Sequence, residues 1–386
     1  MATDSLGAPL GNKPSKKWLA LRIPLGWIGG GLTSALLATL VLWVVVVDDP
    51  FGGEPVAVIA LERPAPGVRK KDVEVVDIRR SLPSSQEQAE AAGTSDAAQT
   101  RPEIKFTDAD LTEDGGGQPL STMPLDRLTE AGPHGPLPKI AEDGARPLDL
   151  YAAPVARAAV DMPKVVLIVT GLGLSQTGTQ EAIRSLPAGV TFAFAPYGSS
   201  LVRWVRNARQ DGHELLLQMP LEPFDFPDND PGPHTLLTKL SETQNLDRLN
   251  WLLARITNYV GVINYMGARF TATPESLAPV LSALSARGLM YMDDGSSSRS
   301  VAETMAKGAG VPFAKADVTI DYVASPEEID AKLLQLEALS RSQGLAIGVA
   351  SALPVSIERI AEWTRDLEAR GIVLTPPSFI ARSGAS

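Results

Sequence analysis

From Lys164 onward, short apolar and β-branched runs alternate with amphipathic stretches. The runs VVLIVT (165–170), VTFAF (190–194), ELLLQ (214–218), VGVIN (260–264), LMYMD (289–293), a stretch around 318–320, LAIGVA (345–350) and IVLTP (372–376) read as strands. Helices are expected between them. One follows Ser199 and runs to about Gln210. Another opens at Ser241 with Gln244 three residues on, a capping-box pattern. Others begin near Thr273-Pro274, Ser325-Pro326 and Pro354, where caps and first-turn prolines belong. Strands that are apolar almost throughout are expected when helices cover both faces of a parallel sheet. The pattern predicts an α/β fold, either a distorted β/α barrel or an open doubly wound sheet. In both, a functional site belongs at the C-terminal ends of the strands. Those ends carry Thr170-Gly171, Pro196-Tyr197, Gln218-Met219-Pro220, Asn264-Tyr265-Met266-Gly267 and Asp293-Asp294-Gly295.

The other long apolar stretch has a different texture. LGWIGGGLTSALLATLVLWVVVV, residues 25–47, carries no charge and is long enough to cross a hydrocarbon core of about 30 Å as a helix. Trp27 and Trp43 lie near its ends, where amphipathic rings settle at membrane interfaces. Lys13, Lys16, Lys17 and Arg22 precede it, and Asp48 and Asp49 follow at once. This asymmetry predicts a single pass with residues 1–24 in the cytoplasm and the remainder outside. The run is longer than a signal-peptide core and no small-residue cleavage pattern follows Val47, so an uncleaved anchor is expected.

Residues 48–163 are rich in Pro, Gly, Ser, Gln and acidic side chains and poor in aromatics. Such a composition buries too little apolar surface to offset the entropy of ordering. A disordered linker is expected, with PVAVIAL (55–61) and RPLDLYAAP (146–154) as the pieces able to dock. The folded domain is then expected over 164–382.

Composition narrows the chemistry. The chain has no cysteine, which removes disulfides, thiolate metal sites and Cys nucleophiles. Its three histidines are His134, His213 and His234. A net charge of −10 without a basic patch argues against nucleic acid as a partner. The first strand runs into TGLGLSQTGT, which matches neither a dinucleotide fingerprint nor a Walker A sequence. It reads as a tight strand-to-helix turn.

Taken in order, LIVTGLGLS, LPAGVTFAFAPY, GHELLLQMPLEP, DNDPGPHTLLT, GVINYMGARFT and GLMYMDDGSSS resemble the divergent polysaccharide deacetylase family over about 164–380. The resemblance implies a distorted parallel β/α barrel of the polysaccharide deacetylase type. Ahead of it stand the expected transmembrane helix and linker. It also implies metal-dependent ester or amide hydrolysis on a glycan. An Asp and two His would hold a divalent ion such as zinc, which polarises the acetyl carbonyl and activates water, with a carboxylate as base. Together with the anchor, this implies a bacterial inner-membrane protein with its main domain in the periplasm, meeting an envelope polysaccharide or peptidoglycan-type glycan.

This chain departs from that pattern at the ligand positions. Thr170-Gly171 stands where relatives have an acidic pair, Gln218 where some have His, and Tyr265 where they have His. Neutral hydroxyls and an amide are poor ligands for a hydrolytic divalent ion. The remaining candidates are Glu222, Asp293 and Asp294 as catalytic carboxylates, and His213 and His234 as metal ligands. His213 alternatively supports a helix-to-strand turn. Thr170, Tyr197, Gln218, Asn264, Tyr265 and Arg269 are the candidate substrate-binding residues. The aromatic, acidic loop from Phe224 to His234 either stacks sugar or is a rigid surface loop. Two readings follow: a deacetylase-like hydrolase, or a non-catalytic scaffold that binds glycan or an envelope protein.

Overall fold

The computed structural model describes residues 111–112, 120–156 and 161–383. The apolar run 25–47 and most of the expected linker lie outside them. Among the described residues, no helix is long and apolar enough to cross a membrane.

Two small pairs precede the main sheet. β1 (Leu111–Thr112) pairs in parallel with β4 (Val155–Ala156), and β2 (Thr129–Gly132) forms an antiparallel pair with β3 (Gly135–Pro138). The main sheet holds β5 (Lys164–Leu172), β6 (Thr191–Phe194), β7 (Leu215–Leu221), β8 (Gly261–Met266), β9 (Met290–Asp293), β10 (Phe313–Lys315), β11 (Val318–Thr319), β12 (Leu345–Ser351) and β13 (Val373–Leu374). Their spatial order is β10-β9-β8-β7-β6-β5-β12-β11, with β13 on β5, and every pairing is parallel. β13 and β6 share one flank of β5. β13 meets Lys164 and Val165, while β6 meets Ile168 and Val169.

The sheet curls into an incomplete barrel because its two edge strands are consecutive in the chain. Ala316 N donates to the Asp293 carbonyl on one side at 2.9 Å, and Asp317 N donates to the Ile347 carbonyl on the other at 2.8 Å. The Asp317 carboxylate accepts in return from Ile347 N at 2.8 Å. One short segment, 313–319, therefore spans the gap between β9 and β12.

Burial follows from alternation. Val165, Leu167 and Val169 of β5 face the helices, while Val166 and Ile168 face inward with Leu216, Ile263, Met292, Ile347 and Val349. Both faces are dry, which is why the sequence shows continuous apolar runs rather than alternating ones. The helices begin as their caps dictate. Ser241 and Gln244 form the reciprocal capping box ahead of Glu242–Leu253. Prolines occupy the first turns of Pro274–Ala286, Pro326–Gln343 and Pro354–Thr364.

The expected linker requires a correction at its C-terminal end. Residues 120–156 are folded against the N-terminal mouth of the barrel. Leu128, Leu148 and Tyr151 are each 0% exposed and join the inward-facing cluster. Tyr151 accepts from Leu125 N at 2.8 Å, Leu148 N donates to the Gly288 carbonyl, and Ala153 N donates to the Glu214 carboxylate at 2.8 Å. Average composition hides such an arm. A few apolar anchors spaced along a Pro- and Gly-rich stretch suffice when the partner surface is already formed. The RPLDLYAAP piece is the C-terminal part of that arm.

Candidate functional site

The strand tips are tied to one another by polar side chains. At the end of β5 the register with β6 shifts between Val169 and Leu172, and Gly171 takes a φ of +79°. A side chain there would be strained. The turn aims Gly171 N at Gln218 Oε1 on β7, at 2.8 Å. Thr170 Oγ1 donates to the Ala350 carbonyl of β12 at 3.1 Å. Gln218 and Thr170 thus fasten three strand ends together.

Asn264 and Asp294 form a second junction. Asn264 Oδ1 accepts from Asp294 N at 2.9 Å, and its amide donates to the Met266 carbonyl at 2.8 Å. Asp294 Oδ1 accepts from Ser296 N and Oγ at 2.9 and 2.7 Å. Burial raises the Asp294 pKa above the usual carboxylate value, and the neighbouring Asp293 adds to the rise, while bonds from Ser296 and Asn264 pull it partly back. Asp293 is buried and acts locally. Its two oxygens take Gly295 N at 2.8 Å and Ser300 Oγ at 2.6 Å, which folds the 294–300 loop. Tyr265, between these groups, is 42% exposed.

Glu222 is 3% exposed and fully engaged. One carboxylate oxygen takes both the amide and the hydroxyl of Thr238, and the other faces Arg269 Nη1 at 3.4 Å. Its carbonyl accepts from Arg269 N and Phe270 N, each at 3.1 Å. Glu222 therefore clamps the loop after β7 to the turn after β8. Tyr197 supports the same loop, accepting from His234 N at 3.1 Å. The His234 ring lies flat on Trp251, with centroids 3.5 Å apart.

His213 is brought to none of these groups. It precedes β7, at the N-terminal end of the sheet, roughly 25 Å along the strand from its tip. It is 0% exposed, stacked on Phe192 at 3.8 Å, with Nδ1 at 2.8 Å from the Val190 carbonyl. This is the turn-supporting position.

These placements test the metal set that the family resemblance implies. Among the described residues no three His, Asp or Glu side chains converge as ligands. Gln218 and Thr170 are committed to inter-strand bonds, Glu222 to Thr238 and Arg269, and His213 and His234 lie elsewhere. The residues present do not fit a three-ligand catalytic metal site. A groove of about 1360 Å³ exists at the opposite end of the sheet, lined by Leu186, Gly212, Ile357 and Val373 among others, and contains none of the strand-tip side chains.

Sequence reasoning missed Thr238, Ser300 and Arg299. Thr238 reaches Glu222 across sixteen residues, a pairing no local pattern announces. The Ser-rich DDGSSSRS stretch was the available signal for an acid-folded loop.

The raised Asp294 pKa gives a stability prediction. Between its unfolded and native pKa the native state holds more protons, so stability falls as pH rises through that window. The cost is full above the native pKa and absent below the unfolded value. Asp294→Asn is expected to raise the melting temperature at pH 7, with the gain shrinking toward pH 4, as thermal melts across that range would record. A variant that melts below wild type at pH 7 would contradict this assignment.

A solved structure of an uncharacterized protein from Agrobacterium tumefaciens C58 matches at 47% identity and TM-score 0.62, covering 63% of this chain and 98% of that one. An uncharacterized Haemophilus influenzae protein is 23% identical over 204 residues, 53% of this chain and 72% of its own length. The uncharacterized Escherichia coli K12 protein YibQ is 20% identical over 204 residues, and the match spans 63% of its length. The family model described as divergent polysaccharide deacetylase matches residues 167–381. That match takes in more than half of the sequence and all of the strand tips described above, and the chain belongs to the divergent polysaccharide deacetylase family.

Proposed function

We propose that this protein is a membrane-anchored envelope protein whose barrel mouth binds glycan through hydrogen bonds and aromatic contact, without a catalytic metal triad. The anchor is the 25–47 run, with the main domain in the periplasm of a bacterial inner-membrane protein. The supporting observation is the donor set at the strand tips. Thr170, Gln218, Asn264, Tyr265 and Asp294 stand where the family resemblance places metal and substrate, and beyond the inter-strand bonds the Gln218 amide nitrogen, the second Asp294 carboxylate oxygen and the exposed Tyr265 side chain remain for sugar hydroxyls and acetamides.

The test is calorimetric titration of the full chain in detergent with an N-acetylglucosamine oligomer. Binding is expected to persist in the presence of a chelator and to weaken about tenfold on Tyr265→Ala, which removes an exposed ring from the site. Chelator-sensitive release of acetate from an acetylated glycan would contradict the reading.

A second reading has its own observation. Leu174, Val202, Val323 and Leu353 are 62%, 63%, 52% and 40% exposed, and all follow C-terminal strand ends. Aliphatic side chains suit a protein partner better than a sugar. This favours an envelope-protein-binding scaffold, with the rim of the barrel as the contact.

A further inference from the structure

We infer that Phe224, Arg269 and Arg299 form a subsite for an acidic sugar, one that carries a carboxylate or phosphate group. The inference rests on the glycan-binding reading and specifies its substrate class. Three adjacent strands contribute one residue each. Phe224 follows β7, Arg269 follows β8 and Arg299 follows β9. The Arg269 guanidinium carbon lies 5.9 Å from the Phe224 ring centroid, and that of Arg299 lies 5.4 Å from it.

Two guanidinium groups held on one ring repel each other unless an anion compensates them. Glu222 compensates Arg269, at 3.4 Å. Arg299 has no carboxylate within ion-pair distance among the described residues. Of the three acids of the adjoining loop, Asp225 takes Asn229, Asp230 takes Gly232 N, and Asp228 makes no ion pair with Arg299. The positive charge at this point of the rim is therefore left for a ligand.

The position is also held in advance. Arg299 sits on the loop that Asp293 and Asp294 fold through Gly295, Ser296 and Ser300, and Arg299 N donates to Ser297 Oγ. Arg269 is fixed by its bonds to Glu222 and to the Phe224 carbonyl. Phe224 stays 45% exposed beside them. An exposed aromatic face between the fixed guanidinium of Arg269 and the unpaired one of Arg299 suits a sugar ring that bears an anionic group. The ring stacks while the planar fork takes two oxygens.

The experiment is calorimetric titration of the full chain at low and moderate salt with three probes: an N-acetylglucosamine tetramer, tetragalacturonate and glucose 6-phosphate. At least one acidic probe is expected to bind about tenfold tighter than the neutral tetramer, with the advantage lost in Arg299→Gln and reduced by salt. Arg299→Lys separates the two sources, keeping most of the affinity for phosphate and losing that for carboxylate. Arg299 is exposed, so its variants are expected to fold, and thermal melts would verify it. If the neutral tetramer binds as tightly as both acidic probes and Arg299→Gln changes nothing, the acidic subsite is overturned while the glycan reading stands. If no sugar binds the wild-type chain, both fall.

Discussion

Tyr151→Ala is expected to destabilise the protein by about 3–5 kcal/mol, the cost of emptying a fully buried aromatic position. The side chain is 0% exposed within the inward-facing cluster at the N-terminal mouth of the barrel. Its hydroxyl accepts from Leu125 N, and its carbonyl accepts from Arg209 Nη1 at 2.8 Å, so one residue ties the 120–156 arm to the barrel. Tyr151→Phe keeps the ring and loses one hydrogen bond, about 1 kcal/mol. Urea unfolding would give both differences. The alanine variant should also become sensitive to protease between residues 120 and 150, because the arm loses its anchor. Wild-type stability in Tyr151→Ala would show that the arm is not part of the folded unit.

Acidification from pH 7 to pH 4 is expected to cost the folded state about 3 kcal/mol through His213 alone. Burial holds the pKa of this imidazole at about 4, against an ordinary value of 6.5, although the Val190 carbonyl and Asp211 oppose the shift. Between those values the unfolded chain binds the extra proton. The contribution is therefore fully present above pH 6.5 and is lost as pH falls toward 4. Glu214, next in sequence and buried, has a pKa raised mainly by desolvation and works in the opposite sense. The informative quantity is thus the difference between wild type and His213→Gln in urea unfolding at several pH values. The two stabilities should converge as the pH falls from 7 to 4. A constant gap would mean that the buried ring is not what titrates.

The strands were legible because parallel strands covered on both faces must be apolar along their middles, and 165–169, 215–217 and 345–350 are. Helix starts were legible where a local bond defines them, as at Ser241 and Gln244. β10 was not, because Phe313–Lys315 is three residues long and ends in a charge, and its pairing to β9 is a product of barrel closure. The docked arm was legible only at RPLDLYAAP. Its other anchor, Leu128, lies far from those residues in sequence and meets them only in the fold.

The candidate site was half legible, for a physical reason. Strand ends can be counted from sequence, so Thr170, Gln218, Asn264, Tyr265 and Asp294 are expected together at the C-terminal end of the sheet. What each side chain is already bonded to depends on loops that sequence does not align. Glu222 looked like a free carboxylate on a loop and is instead the clamp between two of them. His213 left two readings open, metal ligand or support of the helix-to-strand turn, and its packing at the N-terminal end of the strand is the second. Tertiary contacts decide both residues.

The central claim is that the barrel mouth works without a bound catalytic metal, because Thr170, Gln218 Oε1 and Glu222 are committed to tying strand ends and loops together. Elemental analysis of the full chain, purified without chelators and then dialysed against buffer, tests it most directly. The account predicts divalent metal well below one equivalent per chain, unchanged by Tyr265→Ala or Gln218→Ala. Close to one equivalent of zinc or another divalent ion, lost when Asp294 or His234 is replaced, would contradict it.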